Sequence, residues 1–135
     1  MNSPAVGVGA IIRQESGRVL LVQRKFAPEK AKWAFPGGHL HWHEDVRSAI
    51  QREVHEECGI EVAVGELLFV AELRGPDYHF VVLDFGADFR GGRLRPGSDA
   101  ESCRWTAAAD IPGIALAAGM AACLADKKVQ EYLAW

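Results

Sequence analysis

The distribution of apolar and polar positions along the chain marks out most of its elements. Ala5 to Arg13 is a run rich in Val and Ile, followed by the turn Glu15-Ser16-Gly17 and a second run, Arg18 to Lys25 (RVLLVQRK). Both read as strands. Phe26 to Lys32 is a loop, and Trp33 to Phe35 is short and extended because Pro36 disfavours helix in the residue before it. Pro36-Gly37-Gly38 opens an irregular loop. From Glu44 or Asp45 the period changes: Val46, Ala49, Ile50, Val54 and Cys58 recur at helical spacing, and Gly59 stops the helix. Glu61 to Leu73 carries one or two strands, Gly75-Pro76-Asp77 is a turn, and Tyr78 to Phe89 is another strand. Arg90 to Ala100 is a Gly-rich charged loop, Ser102 to Thr106 a short strand, and an Ala-rich helix is expected from Ala115 to Lys128 or beyond. The sum is a mixed sheet flanked by two helices, an α/β (α+β) sandwich.

The polar face of the first helix carries the chemistry. Glu53, Glu56 and Glu57 are spaced three and four residues apart, which gathers them on one helical face. This reading sets that face opposite the Val54 and Cys58 stripe. Like charges at such spacing repel, and they sit toward the C-terminal end, where the helix dipole disfavours anions. A divalent cation would relieve both penalties, and an all-oxygen donor set suits Mg²⁺ or Mn²⁺. A solvated face of good helix formers explains the same spacing, so on these residues alone both readings stand.

Composition narrows the field. The chain of 135 residues fits a single domain, residues 1–135, with 49% hydrophobic and 24% charged residues. A net charge of -3 advertises no nucleic-acid surface, so a polyanionic substrate needs local cations or metal. The three cysteines, Cys58, Cys103 and Cys123, form no C-x-x-C pair and argue against a zinc site or a disulfide framework. The N-terminus shows no signal-peptide pattern, and the longest apolar stretch, Ile111 to Ala125, is shorter than a membrane span. A cytoplasmic setting is expected.

The spacing around the carboxylates is more specific than the helix itself. Gly38, five residues, Glu44, seven residues, then Arg52-Glu53-Val54-His55-Glu56-Glu57-Cys58-Gly59-Ile60 matches G-x5-E-x7-R-E-U-x-E-E-x-G-U, with U aliphatic. At average residue usage such a match arises by chance in roughly one chain in ten million or fewer. This stretch resembles the signature of the Nudix (MutT-like) hydrolases. Leu20 to Arg24, Trp33 to Gly38 and Arg104-Trp105 are also similar to that family, so the likeness covers most of the chain.

The resemblance implies a Nudix-like α/β/α sandwich. It also implies hydrolysis of the pyrophosphate in a nucleoside diphosphate linked to a moiety X, a small-molecule nucleotide substrate. It assigns the metal, Mg²⁺ or Mn²⁺, to Glu53, Glu56 and Glu57, with the carbonyl of Gly37 or Gly38. Arg52 and Glu44 would form an ion pair orienting the helix carboxylates. The chemistry is phosphoryl transfer by positioning and charge neutralisation, finished by a carboxylate base outside the metal shell. Glu53 is one candidate base, and Glu101 or Asp99 in the late acidic loop is the other. Those loop residues could equally be solvated.

Arg24 is a candidate phosphate contact or an exposed strand end. Phe26, Trp33, Phe35, Trp42, Tyr78 and Phe80 are candidates for stacking a base, with core packing the commoner use of such side chains. His39, His41 and His43 alternate inside the loop, where many relatives carry an acidic residue and a glycine at the last two positions. They line the substrate or sit in solvent, and alternation alone does not build a zinc site. Tyr78 to Phe85, Gly91-Gly92 and Gly97-Ser98-Asp99 look most like members acting on ADP-ribose, with nucleoside triphosphates next. A non-catalytic nucleotide-binding module and an RNA 5′-end hydrolase are the competing classes. The intact carboxylates oppose the first and the acidic balance opposes the second. No membrane partner is expected, and a homodimer is the default assembly.

Overall fold

The computed structural model describes residues 2–97 and 99–135, so Ser98 of the late acidic loop lies outside the described residues. The strands are β1 Ala5–Arg13, β2 Val19–Arg24, β3 Trp33–Ala34, β4 Gly37–His39, β5 Ile60–Arg74, β6 His79–Gly92 and β7 Ala100–Thr106. They form one sheet in the order β3-β2-β1-β6-β5, with β4 added to β1 and β7 to β2. The sheet is mixed: β1 and β6 run parallel from Ala5↔Phe80 to Arg13↔Asp88, and the other pairs are antiparallel.

Both faces of β1 are covered from Gly7 to Ile12, which is why that stretch of its sequence is apolar. Val8, Ala10 and Ile12 point to one side, where they meet Ile50, Val54 and Cys58 of helix α1, Val46–Cys58. Ile11 points to the other, where with Val19 and Leu21 it meets Met120, Leu124, Val129 and Leu133. A fully buried Ile, Leu or Val stabilises the fold by about 1.5–3 kcal/mol, so each layer is held by its own group of such side chains. Two helical layers thus sandwich the sheet.

Helix α1 begins and ends where its sequence signals. Asp45 caps it by accepting from the Ser48 N–H at 3.0 Å, and Gly59 closes it in the left-handed region at φ 73°. Among the described residues no helix is long and apolar enough to cross a membrane.

The strand after α1 is a single one, within the one or two expected, and is kinked by register shifts between Val64 and Phe69. Two elements differ from expectation. Gly37–His39, expected in an irregular loop, form β4 by pairing with Gly9, Val8 and Gly7 of β1. The expected Ala-rich helix is instead a 3₁₀ turn, Ala108–Gly113, and two short helices, α2 Met120–Ala125 and α3 Lys127–Leu133. Residues 115 to 117 stay extended because they hydrogen-bond to Trp33: its N–H donates to Ala115 O, and its carbonyl accepts from Ala117 N, both at 2.9 Å. Asp126 then ends α2 and starts α3, accepting from the N–H groups of Lys128 and Val129. Helix propensity lost here to tertiary hydrogen bonds and to a capping side chain.

Candidate active site

The site lies where α1 faces β4. Gly37 and Gly38 lie in β4, and their neighbours show why these residues lack side chains. A Cβ on Gly37 would sit 2.1 Å from Val8 O, and one on Gly38 would sit 2.4–2.5 Å from the Glu53 carboxylate. The glycines let β4 close on β1 and let the helix carboxylates approach the backbone.

Glu53 and Glu57 both line a cleft of roughly 330 Å³, shared with Arg24, Lys25, Phe26, Phe35, Gly37, Gly38, His39, His41 and Asp99. The expected opposition between carboxylate face and apolar stripe does not hold. Residues three apart on an α-helix lie only about 60° apart around its axis, so Glu57 neighbours Val54 and Glu53 neighbours Ile50. These two side chains therefore border the buried stripe and are partly withdrawn from water, with Glu53 14% exposed. Glu56 alone points outward, 58% exposed, and is not in the cleft wall.

One guanidinium organises the carboxylates. Arg52 Nε donates to Glu44 Oε2 at 2.7 Å and Nη2 to Glu44 Oε1 at 2.9 Å, a two-pronged pair. Arg52 Nη1 donates to Glu53 Oε1 at 2.7 Å and Glu56 Oε2 at 3.3 Å, and Nη2 also reaches His39 O at 3.2 Å. Every N–H of the fork has an acceptor. The hydrogen bonds with Arg52 hold the Glu44 carboxyl down at about 2, and the same contact pushes the arginine above its ordinary range. Glu44 also accepts from the His41 N–H at 3.2 Å, which ties the loop to the ion pair.

Glu57 is in the opposite situation. Burial pushes its carboxyl up to about 8, opposed by the Gly37 N–H at 3.3 Å and reinforced by the charge of Glu53. Among the described residues no cation forms an ion pair with this half-buried carboxylate, which leaves the site short of positive charge. Two hard-oxygen carboxylates converge there on a glycine backbone, a donor set that fits Mg²⁺ or Mn²⁺. Among the described residues no three His, Cys, Asp or Glu side chains are already gathered around one point, and Glu56 instead accepts from Arg52. His39, His41 and His43 do not converge either.

The remaining expected residues divide. Arg24, Phe35 and His39 line the cleft. Arg24 Nε donates to Pro28 O at 2.8 Å, which pins its guanidinium to the loop after β2. His39 stacks on Phe80 with ring centroids 5.2 Å apart and planes at 17°. Tyr78 is exposed beside Phe80, at 6.0 Å, and is not part of the cleft wall. Of the late acidic residues, Asp99 lines the cleft and Glu101 does not. Trp42 is 89% exposed and also lies outside it.

Lys25 was not a sequence candidate. Strict strand alternation sends Arg24 and Lys25 to opposite faces. The register shift between Gln23 and Arg24, and the end of β2 at Arg24, bring both cations to the cleft. A pair of basic residues at a strand end was the available signal. The cleft thus sets Glu53, Glu57 and Asp99 against Arg24 and Lys25, a charge pattern suited to a metal–polyphosphate.

Known proteins resemble this chain in sequence and in fold. A family model described as NUDIX domain matches residues 3–126. An ADP-ribose pyrophosphatase of Methanocaldococcus jannaschii is 33% identical over 134 residues, spanning 98% of this chain and 75% of its own length. A CTP pyrophosphohydrolase of Escherichia coli is 42% identical over 62 residues, 45% of this chain and 46% of its own. The crystal structure of a MutT NUDIX hydrolase from Burkholderia pseudomallei superposes with a TM-score of 0.83 at 35% identity, covering 91% of this chain and 97% of that one.

Proposed function

Since the chain belongs to the NUDIX family of hydrolases, which act on pyrophosphate bonds, we propose that it hydrolyses the pyrophosphate of an ADP-ribose-like nucleoside diphosphate derivative with Mg²⁺ or Mn²⁺. One observation supports the site assignment: Glu53, Glu57 and the Gly37-Gly38 backbone line one cleft together with Arg24 and Lys25. Glu53, Glu57 and the Gly38 carbonyl would hold the cation, with Glu56 joining by turning from Arg52. A divalent cation supplies positive charge that offsets the charge developing on the phosphates.

The chain's own groups do the rest. Arg24 and Lys25 take the phosphate oxygens that the cation leaves free, and Arg24 is held ready by its bond to Pro28 O. Arg52 locks the Glu53 carboxylate in place, so its position is fixed before substrate arrives. Asp99 also lines the cleft and, lying outside the carboxylates assigned to the cation, can accept a proton from the attacking water; Glu53 is the alternative base where it does not hold the cation. The apolar ring of Phe35 in the wall and the His39–Phe80 stack offer flat surfaces to a base or sugar.

The ADP-ribose reading is supported by a relative aligned along almost the whole chain. A nucleoside triphosphate substrate is the second reading, supported by the CTP pyrophosphohydrolase, whose alignment is limited to less than half of the chain.

The test is turnover of ADP-ribose and CTP with Mg²⁺, with products separated. AMP plus ribose 5-phosphate from ADP-ribose is the expected result, and Glu57→Gln should lower the rate at least about a hundredfold. Preferred release of CMP from CTP moves the assignment to triphosphates. Absence of turnover on both, or a Glu57→Gln variant that works normally, refutes the proposal.

A further inference from the structure

Two of the three free cysteines meet at the end of the helix that carries the carboxylates. Cys58 is the last residue of α1, fully buried in the first core, and Cys103 lies in β7 against the same core, partly exposed. Their Sγ atoms are 3.7 Å apart. Cys103 Sγ–H also donates to the Glu57 carbonyl at 3.4 Å. Cys123 lies on the other side of the sheet in the second core, with Asp84 as its partner at 3.9 Å.

The joint is otherwise tightly made. The orphan carbonyls of the last helical turn are taken by the loop before β7: Arg95 N–H donates to Cys58 O at 2.9 Å, and Gly97 N–H to Glu57 O at 2.7 Å. A Cβ on Gly97 would sit 1.9 Å from Glu56 O, so loop and helix are in direct backbone contact. The same loop brings Asp99 to the cleft. Cys103 is fixed from its other side by pairing with Val22 in the sheet. The two thiols therefore bridge the seam between a helix end bearing Glu57 and a strand locked into the sheet.

We propose that Cys58 and Cys103 form an oxidation site, closed to a disulfide by hydroperoxides, which loosens the Glu57 end of the metal-binding helix. Cys103 Sγ attacks the peroxide oxygen. The S–O bond forms, the O–O bond breaks, and the alcohol (water, from hydrogen peroxide) leaves with the thiol proton. Cys58 Sγ then attacks the sulfenic sulfur. The S–S bond forms, the S–O bond breaks, and water leaves with the second thiol proton. The two thiols lose two electrons and the hydroperoxide gains them.

Closure shortens the gap between the sulfurs by about 1.6 Å, given a disulfide bond of about 2.05 Å. Both side chains are short, so part of that movement falls on the last turn of α1. The hydrogen bond from Cys103 to the Glu57 carbonyl is lost as well. Disturbing groups that orient metal ligands costs about 10–100-fold in affinity or activity. That consequence rests on the metal assignment proposed above, while the cross-link itself does not.

The whole chain, reduced, is exposed to hydrogen peroxide, alkylated, digested and examined by mass, and Mn²⁺ binding is measured before and after. A Cys58–Cys103 peptide short of two hydrogens, with Mn²⁺ binding about tenfold or more weaker and restored by dithiothreitol, is expected. Cys103→Ser and Cys58→Ser should each abolish the cross-link, and Cys123→Ser should leave it. Should Cys58→Ser fold poorly, Cys103→Ser decides the point alone. A cross-link involving Cys123, one between chains, or only over-oxidised Cys103 overturns the proposal. So does a correct cross-link that leaves Mn²⁺ affinity unchanged. Reduced protein that binds no Mn²⁺ refutes the metal assignment and the loosening with it, and the mass still decides the cross-link.

Discussion

Gly38→Ala isolates the contact on which the active-site assignment depends. A Cβ there would lie 2.4 Å from the Glu53 carboxylate carbon and 2.5 Å from each of its oxygens. Ordinary van der Waals separation is about 3.5–4.0 Å, so the carboxylate must retreat by roughly 1 Å. The backbone imposes no separate cost, because Gly38 is not among the residues with positive φ. The obstacle is the far end of a flexible side chain, so the fold should survive with a stability change within about 1 kcal/mol. A misplacement of about 1 Å at a reacting group nevertheless costs on the order of a hundredfold in rate. The neighbouring Gly37→Ala is the control with the opposite signature. Its Cβ would meet Val8 O at 2.1 Å and the Gly9 Cα at 2.9 Å, backbone atoms that cannot swing away. That variant should lose about 2 kcal/mol or more of stability by prying β4 from β1. Urea melts and kcat with Mg²⁺, measured on both variants, separate the cases. Wild-type turnover in Gly38→Ala would mean that Glu53 does not act where the cleft places it. An equal loss of stability in both would mean that the two contacts do not differ as the geometry requires.

Two further outcomes follow from charge. Asp84 is 6% exposed on the sheet face away from α1, and burial pushes its carboxyl from the ordinary 3.8 up to about 7. The folded state therefore keeps this proton to higher pH than the unfolded chain does. Its contribution makes stability fall between about pH 4 and pH 7 and level off above, by at most about 4 kcal/mol. Asp84→Asn should remove most of that fall, leaving the variant about 2 kcal/mol more stable than the parent at pH 8 once imperfect amide hydrogen bonding is allowed for. Parallel stability–pH curves for the two proteins would refute it. Arg52→Lys keeps the charge but not the fork, so it cannot serve Glu44, Glu53, Glu56 and His39 O together. Melting should shift little while kcat drops about 10–100-fold, and unchanged turnover would show that the ion pair does not position Glu53.

The sequence by itself determined the sandwich, the limits of α1 and the identity of its carboxylates. These rest on local rules: an apolar run between turn residues, an aspartate cap, a glycine stop and a fixed spacing from Gly38 to Ile60. Tertiary structure decided everything that depends on what packs beside a residue. Asp126 and Trp33 broke the Ala-rich segment into two helices because side-chain and bridge hydrogen bonds outweighed propensity. A register shift carried Lys25 to the cleft beside Arg24. Asp99, not Glu101, entered the wall, and Tyr78 stayed out. The box carboxylates themselves were not equivalent: Glu44 is held ionised by Arg52, Glu57 is withdrawn from water, and Glu56 is left at the surface. Spacing fixes which residues share a helix face, but the sheet, the glycine backbone and a single guanidinium set the burial and charge that separate them.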